Sequence, residues 1–216
     1  TIRADFVVGA DGARSIVRNS FGCRWEDLGF RERWLVVDVR LTADRSDLGD
    51  FTIQTCDRAR PTTYVRCPRD WRRWEISLRD DERDEDVVSD EFIWPHMRPA
   101  ITPDEGRIER RAVYYFESKI SDQWRDRRCF VAGDAAHLMP PFLGQGMCAG
   151  IRDVANLGWK LAAVLRWGAP DALLDSYERE RRPHTRVYIE TAVNVGRMMN
   201  DAETAESLTH AFSPDG

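Results

Sequence analysis

Two short apolar runs, each ending in glycine and leading at once into a polar turn, constrain this chain more than any other feature. The first, Ala4-Asp5-Phe6-Val7-Val8-Gly9-Ala10, passes into Asp11-Gly12-Ala13-Arg14-Ser15, and Ser15-Ile16-Val17-Arg18 starts a short helix. The second, Arg128-Cys129-Phe130-Val131-Ala132-Gly133, passes into Asp134-Ala135-Ala136-His137. Runs this short and this apolar read as buried strands. After the second comes a long helix from about Gly146 to Trp167. Its apolar positions Ile151, Val154, Leu157, Leu161 and Val164 recur every three to four residues. Strand, turn and helix in that order predict an α/β element, whose ligands bind outside the carboxyl ends of the strands.

The segment between the two runs has a different character. Trp34–Leu41, Phe51–Thr55, Thr62–Arg66 and Arg73–Leu78 are rich in β-branched and aromatic residues, with Asp, Gly, Pro and Arg clusters between them. That pattern predicts an antiparallel sheet. Arg111–Phe116 reads as a further strand, residues 87–98 as a helix closed by Pro99, and the acidic run Asp80–Asp86 as an exposed loop or helix start. Asp171–Asn200 reads as one or two helices, with Pro183 at a break or in a first turn. Residues 201–216 are polar and read as a flexible end. A domain rarely opens on a buried strand, so a region upstream of Thr1 is expected.

Composition narrows the function classes. The chain has 216 residues, of which 42% are apolar and eight are Trp, enough for a real core. The net charge of -5 argues against a nucleic-acid partner. No apolar run approaches the roughly 18 residues of a membrane span, and the opening residues do not resemble a signal peptide. The five cysteines form no C-x-x-C pair. Reduced thiols in a cytoplasmic protein are therefore expected, with no metal site.

The second turn offers chemistry. A carboxylate at Asp134, just past a strand end, can accept hydrogen bonds from sugar or ribityl hydroxyls, and small neighbours let a ligand chain pass; a plain helix cap explains it about as well. Pro140 and Pro141 stiffen the approach to the helix, and Gly144 and Gly146 allow unusual backbone angles beside a flat ring. The long helix then presents free N–H groups and a partial positive charge. The spacing Gly144-x-Gly146-x-x-x-Gly150 is not the dinucleotide fingerprint.

Gly133-Asp134-Ala135-Ala136-His137, Pro141, Gly144-Gln145-Gly146, Asp153, Asn156-Leu157 and Trp159-Lys160-Leu161 resemble the second FAD motif of flavoprotein monooxygenases of the p-hydroxybenzoate hydroxylase type. Val8–Arg18 resembles the Asp-Gly motif of the same family, about 120 residues earlier. Glu32–Asp38, Arg60–Thr63, Arg72–Glu75 and Glu180–His184 resemble its 3-(3-hydroxyphenyl)propionate hydroxylase branch. The resemblance implies a mixed α/β chain. Residues 1–22 and 117–167 would be parts of a Rossmann-like FAD-binding domain, 23–116 the sheet of a substrate domain, and 168–200 C-terminal helices. It implies FAD as cofactor, NADPH or NADH as co-substrate, and oxygen-dependent hydroxylation of a phenolic aromatic acid.

By position, Asp134 and Gly133 would hold the ribityl chain. Asp11, Gly12 and Arg18 would lie near the pyrophosphate and the nicotinamide nucleotide's path. Gly144, Gln145, Gly146 and Met147 would face the flavin, and Pro141 would pack at its reactive edge. Cys148 departs from the Asn that many relatives carry. The family's opening G-x-G-x-x-G unit does not occur here. The partner expected is a small phenol, with neither nucleic acid nor membrane, and a homodimer is compatible. Two alternatives stay open: another flavin monooxygenase, such as an epoxidase or halogenase, or a non-catalytic piece that needs an N-terminal partner.

Overall fold

The computed structural model describes residues 2–57, 59–98 and 100–200. The expectations for Pro99 and for residues 201–216 lie outside them. Along the chain run β1 (Val7–Gly9), α1 (Ile16–Ser20), β2 (Trp25–Leu41), β3 (Ile53–Thr55), β4 (Thr62–Arg66), β5 (Trp71–Ser77), α2 (Asp84–Val87) and α3 (Asp90–Met97). There follow β6 (Gly106–Ser121), β7 (Arg125–Asp126), β8 (Cys129–Val131), β9 (His137–Leu138), α4 (Gly146–Trp167) and α5 (Asp175–Asn200). The mixed α/β class stands. The chain forms two compact units, one made of the residues up to Phe30 with Glu117–Gly196, the other of Arg31–Phe116.

In the first unit the two glycine-ended runs lie side by side. β1 pairs parallel with β8, in the register Val7↔Cys129 to Gly9↔Val131, and β7 pairs antiparallel with β8. Both runs therefore deliver their Asp-bearing turns to one sheet edge. The fit behind β1 is close, because a Cβ on Gly9 would lie 2.6 Å from Val17 Cβ. The two strands differ in burial. Phe130 and Val131 of β8 are fully buried, whereas Val7 and Val8 are 44% and 40% exposed. The expectation of a buried first strand is not met among the described residues, where β1 lies at the edge of its sheet.

The helices of this unit bury faces that apolar spacing did not predict. The buried positions of α4 are Ala149, Asp153, Leu157, Lys160 and Ala163, while Ile151 and Val154 are exposed. Helix α5 runs unbroken through Pro183. A proline there has no N–H to donate and crowds the carbonyl four residues back. The helix survives because Tyr177, Arg181, Thr185, Ile189 and Val193 form a buried stripe on both sides of it.

The second unit is built on an antiparallel ladder. β5 lies between β4 and β2, and β3 adds to β4. Leu35, Val37 and Val39 alternate onto one face with Tyr64, Trp74 and Ile76, where Val87, Ile93, Met97 and Ile101 complete a core. Burying side chains of this size contributes roughly 1.5–3 kcal/mol each. Two strands exceed their expected lengths: β2 begins at Trp25 and β6 spans Gly106–Ser121. Their extra residues are too polar to signal a strand alone, and pairing recruits them. The end of β6, for example, belongs to the first unit and pairs there with β9 at Lys119↔Leu138 and Ile120↔His137. The helix expected over 87–98 is α3, which starts at Asp90 because Ser89 caps it by accepting a hydrogen bond from Phe92 N–H at 3.3 Å. The short α2 precedes it, where the acidic run predicts a loop or helix start. The acidic run is drawn onto the sheet by Arg60–Glu82 at 2.5 Å and Arg33–Asp84.

Pro183 is exposed, so its helix cost is not offset by packing of its own ring. Pro183→Ala should raise the unfolding free energy by about 1–2 kcal/mol: a larger helix gain less the entropy returned to the unfolded chain. Urea denaturation followed at a helix-sensitive wavelength checks this; an unchanged or lower midpoint would show that α5 is adapted to the proline.

Candidate functional site

The sheet edge that collects the two turns holds most of the residues expected to bind a cofactor. In the first turn Gly12 has φ +81°. Supplementing the N-cap Ser15, whose hydroxyl accepts from Arg18 N–H at 2.9 Å, the Asp11 carboxylate accepts from Ile16 N–H at 2.8 Å and Val17 N–H at 3.3 Å. The Ser15 hydroxyl and those N–H groups outweigh partial desolvation and hold its carboxyl below the usual range. Arg18 is 5% exposed. Its guanidinium donates to Ala13 O at 2.9 Å and Ala135 O at 3.2 Å, and lies 4.1 Å from the Trp25 ring centroid. It thus clamps the first turn to the second and has little left for a ligand.

The second turn presents Asp134 outward. Gly133 has φ +60°, a left-handed angle that glycine adopts without strain, and Ala136 N–H donates back to Gly133 O at 2.7 Å. The Asp134 side chain is exposed and has no hydrogen-bond or ion-pair partner among the described residues. Pro140 is buried and Pro141 is exposed at the head of a 3-10 turn, Pro141–Leu143, that ends at Gly144 with φ +60°. Gly146, by contrast, is simply the first residue of α4. Gln145 does not cap the helix with its side chain; its amide oxygen accepts from Arg152 at 3.2 Å. Ala149 N–H is the first satisfied within the helix, by Gln145 O at 2.8 Å. The N–H groups of Gly146, Met147 and Cys148 lie in the first turn, where the helix itself offers no carbonyl to accept them. Met147 is 76% exposed.

Behind the turn lies a network that sequence reasoning assigned no role. Asp153 is 0% exposed. One of its oxygens accepts from Gly133 N–H at 3.0 Å and meets His137 Nε2 at 2.7 Å; the other accepts from Arg181 Nε at 2.9 Å. His137 stacks on Trp124 with centroids 5.4 Å apart. Tyr177 Oη donates to Val131 O at 2.8 Å, and burial holds its hydroxyl well above the usual pKa. Lys160, also 0% exposed, binds Asn156 Oδ1 at 2.8 Å and Glu180 at 2.7 Å. The available signal was Asp153 and Lys160 seven positions apart, two turns along one helix face.

In the second unit a cavity of about 520 Å³ is lined by Arg31, Arg33, Ser77, Leu78, Asp84 and Tyr115, among others. Three arginines of this unit are already engaged in ion pairs. Arg73 pairs with Asp38 at 2.7 Å, and Arg33 and Arg60 hold Asp84 and Glu82. Arg72 and Arg73 point to opposite faces of β5, so they cannot serve one ligand together. Glu75 has no hydrogen-bond partner among the described residues, and burial raises its carboxyl above the usual range.

Asp11→Ala removes the acceptor of two first-turn N–H groups of α1, leaves the Ser15 cap in place, and should cost about 0.3–1 kcal/mol. Because the folded carboxyl titrates below its unfolded value, the Asp11 contribution is present above the ordinary carboxylate range. It is lost as pH falls through the folded pKa. Thermal unfolding of both forms from pH 7 to pH 3 should show the difference shrinking at the acid end. A constant gap would remove the charge from the explanation.

Residues 1–192 match the family model described as FAD binding domain. The chain is 45% identical over 204 residues to a probable NADH-specific resorcinol 4-hydroxylase of Rhodococcus jostii, covering 94% of this chain and 38% of that protein. It is 41% identical over 204 residues to a 3-(3-hydroxy-phenyl)propionate/3-hydroxycinnamic acid hydroxylase of Mycolicibacterium smegmatis, covering 93% and 35%. It thus spans well under half the length of these relatives. Aklavinone-11 hydroxylase, solved with FAD and aklavinone, superposes with a TM-score of 0.79 at 27% identity, over 88% of this chain and 37% of that one. With parallel strands carrying Asp11 and Asp134 to one edge and a model match across nearly its whole length, the chain belongs to the FAD-binding domain family.

Proposed function

We propose that this chain carries part of the flavin site of an NAD(P)H-dependent monooxygenase that hydroxylates a phenolic ring. The observation that carries the reading is the exposed Asp134 carboxylate after the end of β8, without a partner among the described residues, together with the N-terminus of α4, which has no side-chain cap. Similarity to two hydroxylases of phenols supports it.

The residues present fit FAD. Positions where a Cβ on Gly12 or Gly144 would sit have nothing within 4 Å, so both turns face open space. Asp134 would accept hydrogen bonds from the ribityl hydroxyls. The N–H groups of Gly146 and Met147, at the positive end of a 22-residue helix, would donate to the pyrimidine edge. Asp11 and Gly12 would border the pyrophosphate. Arg18, clamped between carbonyls, would hold the two turns at fixed spacing. Pro141 has no N–H to solvate and would pack at the reactive edge, where it keeps water out. When bound, FAD reduced by NADH or NADPH supplies the oxygen chemistry; the protein orients, dries and stabilises.

For the substrate, paired arginines in the second unit favour a phenol held through its hydroxyls over one held through a carboxylate tail. Resorcinol and 3-(3-hydroxyphenyl)propionate separate these options. The protein should consume NADH or NADPH faster with a phenol present and yield a product with one added ring hydroxyl. Asp134→Ala should weaken FAD binding tenfold or more. Stimulated consumption that yields only hydrogen peroxide with every phenol tried would sink hydroxylation. Unchanged FAD affinity in Asp134→Ala would remove that residue's role.

A further inference from the structure

The turn that presents Asp134 does not hold itself. Gly133 is in a left-handed conformation, and a Cβ added to Gly150 would lie 3.3 Å from Gly133 Cα, so turn and helix touch through bare backbone. The Gly133 N–H donates to the Asp153 carboxylate at 3.0 Å. That carboxylate is fully buried and takes two further partners from separate elements: His137 at the start of β9 and Arg181 in the second turn of α5. Arg181 also lies 2.9 Å from His184 Nδ1 and donates to Thr185 Oγ1 at 3.4 Å, so its fork is locked on α5. His137 is 1% exposed, and its other ring nitrogen, Nδ1, has no partner among the described residues. Its one polar tie is to Asp153.

We propose that Asp153, His137 and Arg181 act as positioning residues for the flavin. The buried carboxylate orients the Gly133-Asp134 turn, and Arg181 and His137 hold that carboxylate in register. This rests on the reading of Asp134 as a ribityl contact. The three act through the turn and do not themselves touch the cofactor. Arg181 lies on the C-terminal helix, outside both turn motifs, so α5 takes part in cofactor affinity. The physical basis is pre-organisation. A turn already fixed by a charge-assisted bond loses little freedom when a ligand binds, whereas a loosened one must be ordered by the ligand itself.

The test compares FAD dissociation constants, from flavin fluorescence quenching, with the unfolding midpoint of the FAD-free protein and with visible circular dichroism of bound flavin. Asp153→Asn keeps the shape but replaces one acceptor oxygen with a donor. It should weaken FAD binding at least tenfold and alter the dichroism of whatever flavin binds. Ile189→Ala, a cavity in the same α5 stripe two turns from Arg181, should lower the midpoint as much while leaving the dissociation constant within threefold, measured where both variants are folded. Should Asp153→Asn fail to fold, His137→Leu and His137→Gln replace it. Leucine removes the ring's tie to Asp153 and should weaken FAD binding. Glutamine restores an N–H donor and should recover part of the loss. If affinity tracks the midpoint alike in all variants, or glutamine recovers nothing over leucine, the proposal is overturned. If the unaltered protein binds no FAD, it is the flavin reading that fails.

Discussion

A single carboxylate in a dry interior is costly to bury, and the first unit is arranged so that the one at Asp153 is never left alone. An ion of this size loses several kcal/mol of hydration on burial, and only partners of good geometry offset that loss. Asp153 has three, from the backbone of one turn, the ring of His137 and the guanidinium of Arg181. These groups come from parts of the chain as far apart as residues 133 and 181. The turn after β8, the start of β9 and helix α5 are thereby tied to one point on α4. The outward direction of Asp134 is the other side of the same arrangement, since the inner side of its turn is already bonded.

The same economy recurs with the arginines. Arg18 spends its donors on two carbonyls far apart in the chain, Ala13 and Ala135, and so joins the Asp-Gly turn to the Gly-Asp turn. In the second unit Arg33 and Arg60 bind the acidic run before α3, and Arg73 is matched by Asp38 across the β2–β5 ladder. Motifs that look like ligand-binding cations are here largely internal struts. In the proposed reading, what serves the cofactor is less conspicuous: the exposed Asp134 carboxylate, two turns facing open space and the first N–H groups of a long helix.

Much of this was legible in the residues. The two glycine-ended runs are β1 and β8, the long helix begins at Gly146, and the alternation of Leu35, Val37 and Val39 marks a strand with one face in a core. Other features were illegible for identifiable reasons. The first nine residues of β2 carry no clear alternation and are strand only because partners recruit them. Pro183 argues for a break that the buried stripe of α5 overrides. On α4 the apolar period pointed to Ile151 and Val154, yet these are exposed and Asp153 and Lys160 are buried. A hydrophobicity pattern assumes that charge stays in water, and it fails where distant partners make burial of charge tolerable.

By itself, then, the sequence determined the local units: short strands that end in glycine, turns that carry Asp11 and Asp134, and a helix whose start is free to bind. Side-chain volume, backbone freedom and hydrogen-bonding capacity are properties of neighbouring residues, so local order suffices to read them. Only the tertiary structure decided that β1 and β8 run parallel in one register, that Arg18 joins their turns, and that Asp153 meets Gly133, His137 and Arg181. Those outcomes depend on groups brought together from distant positions, and a buried charge is stable only once every one of its partners has arrived.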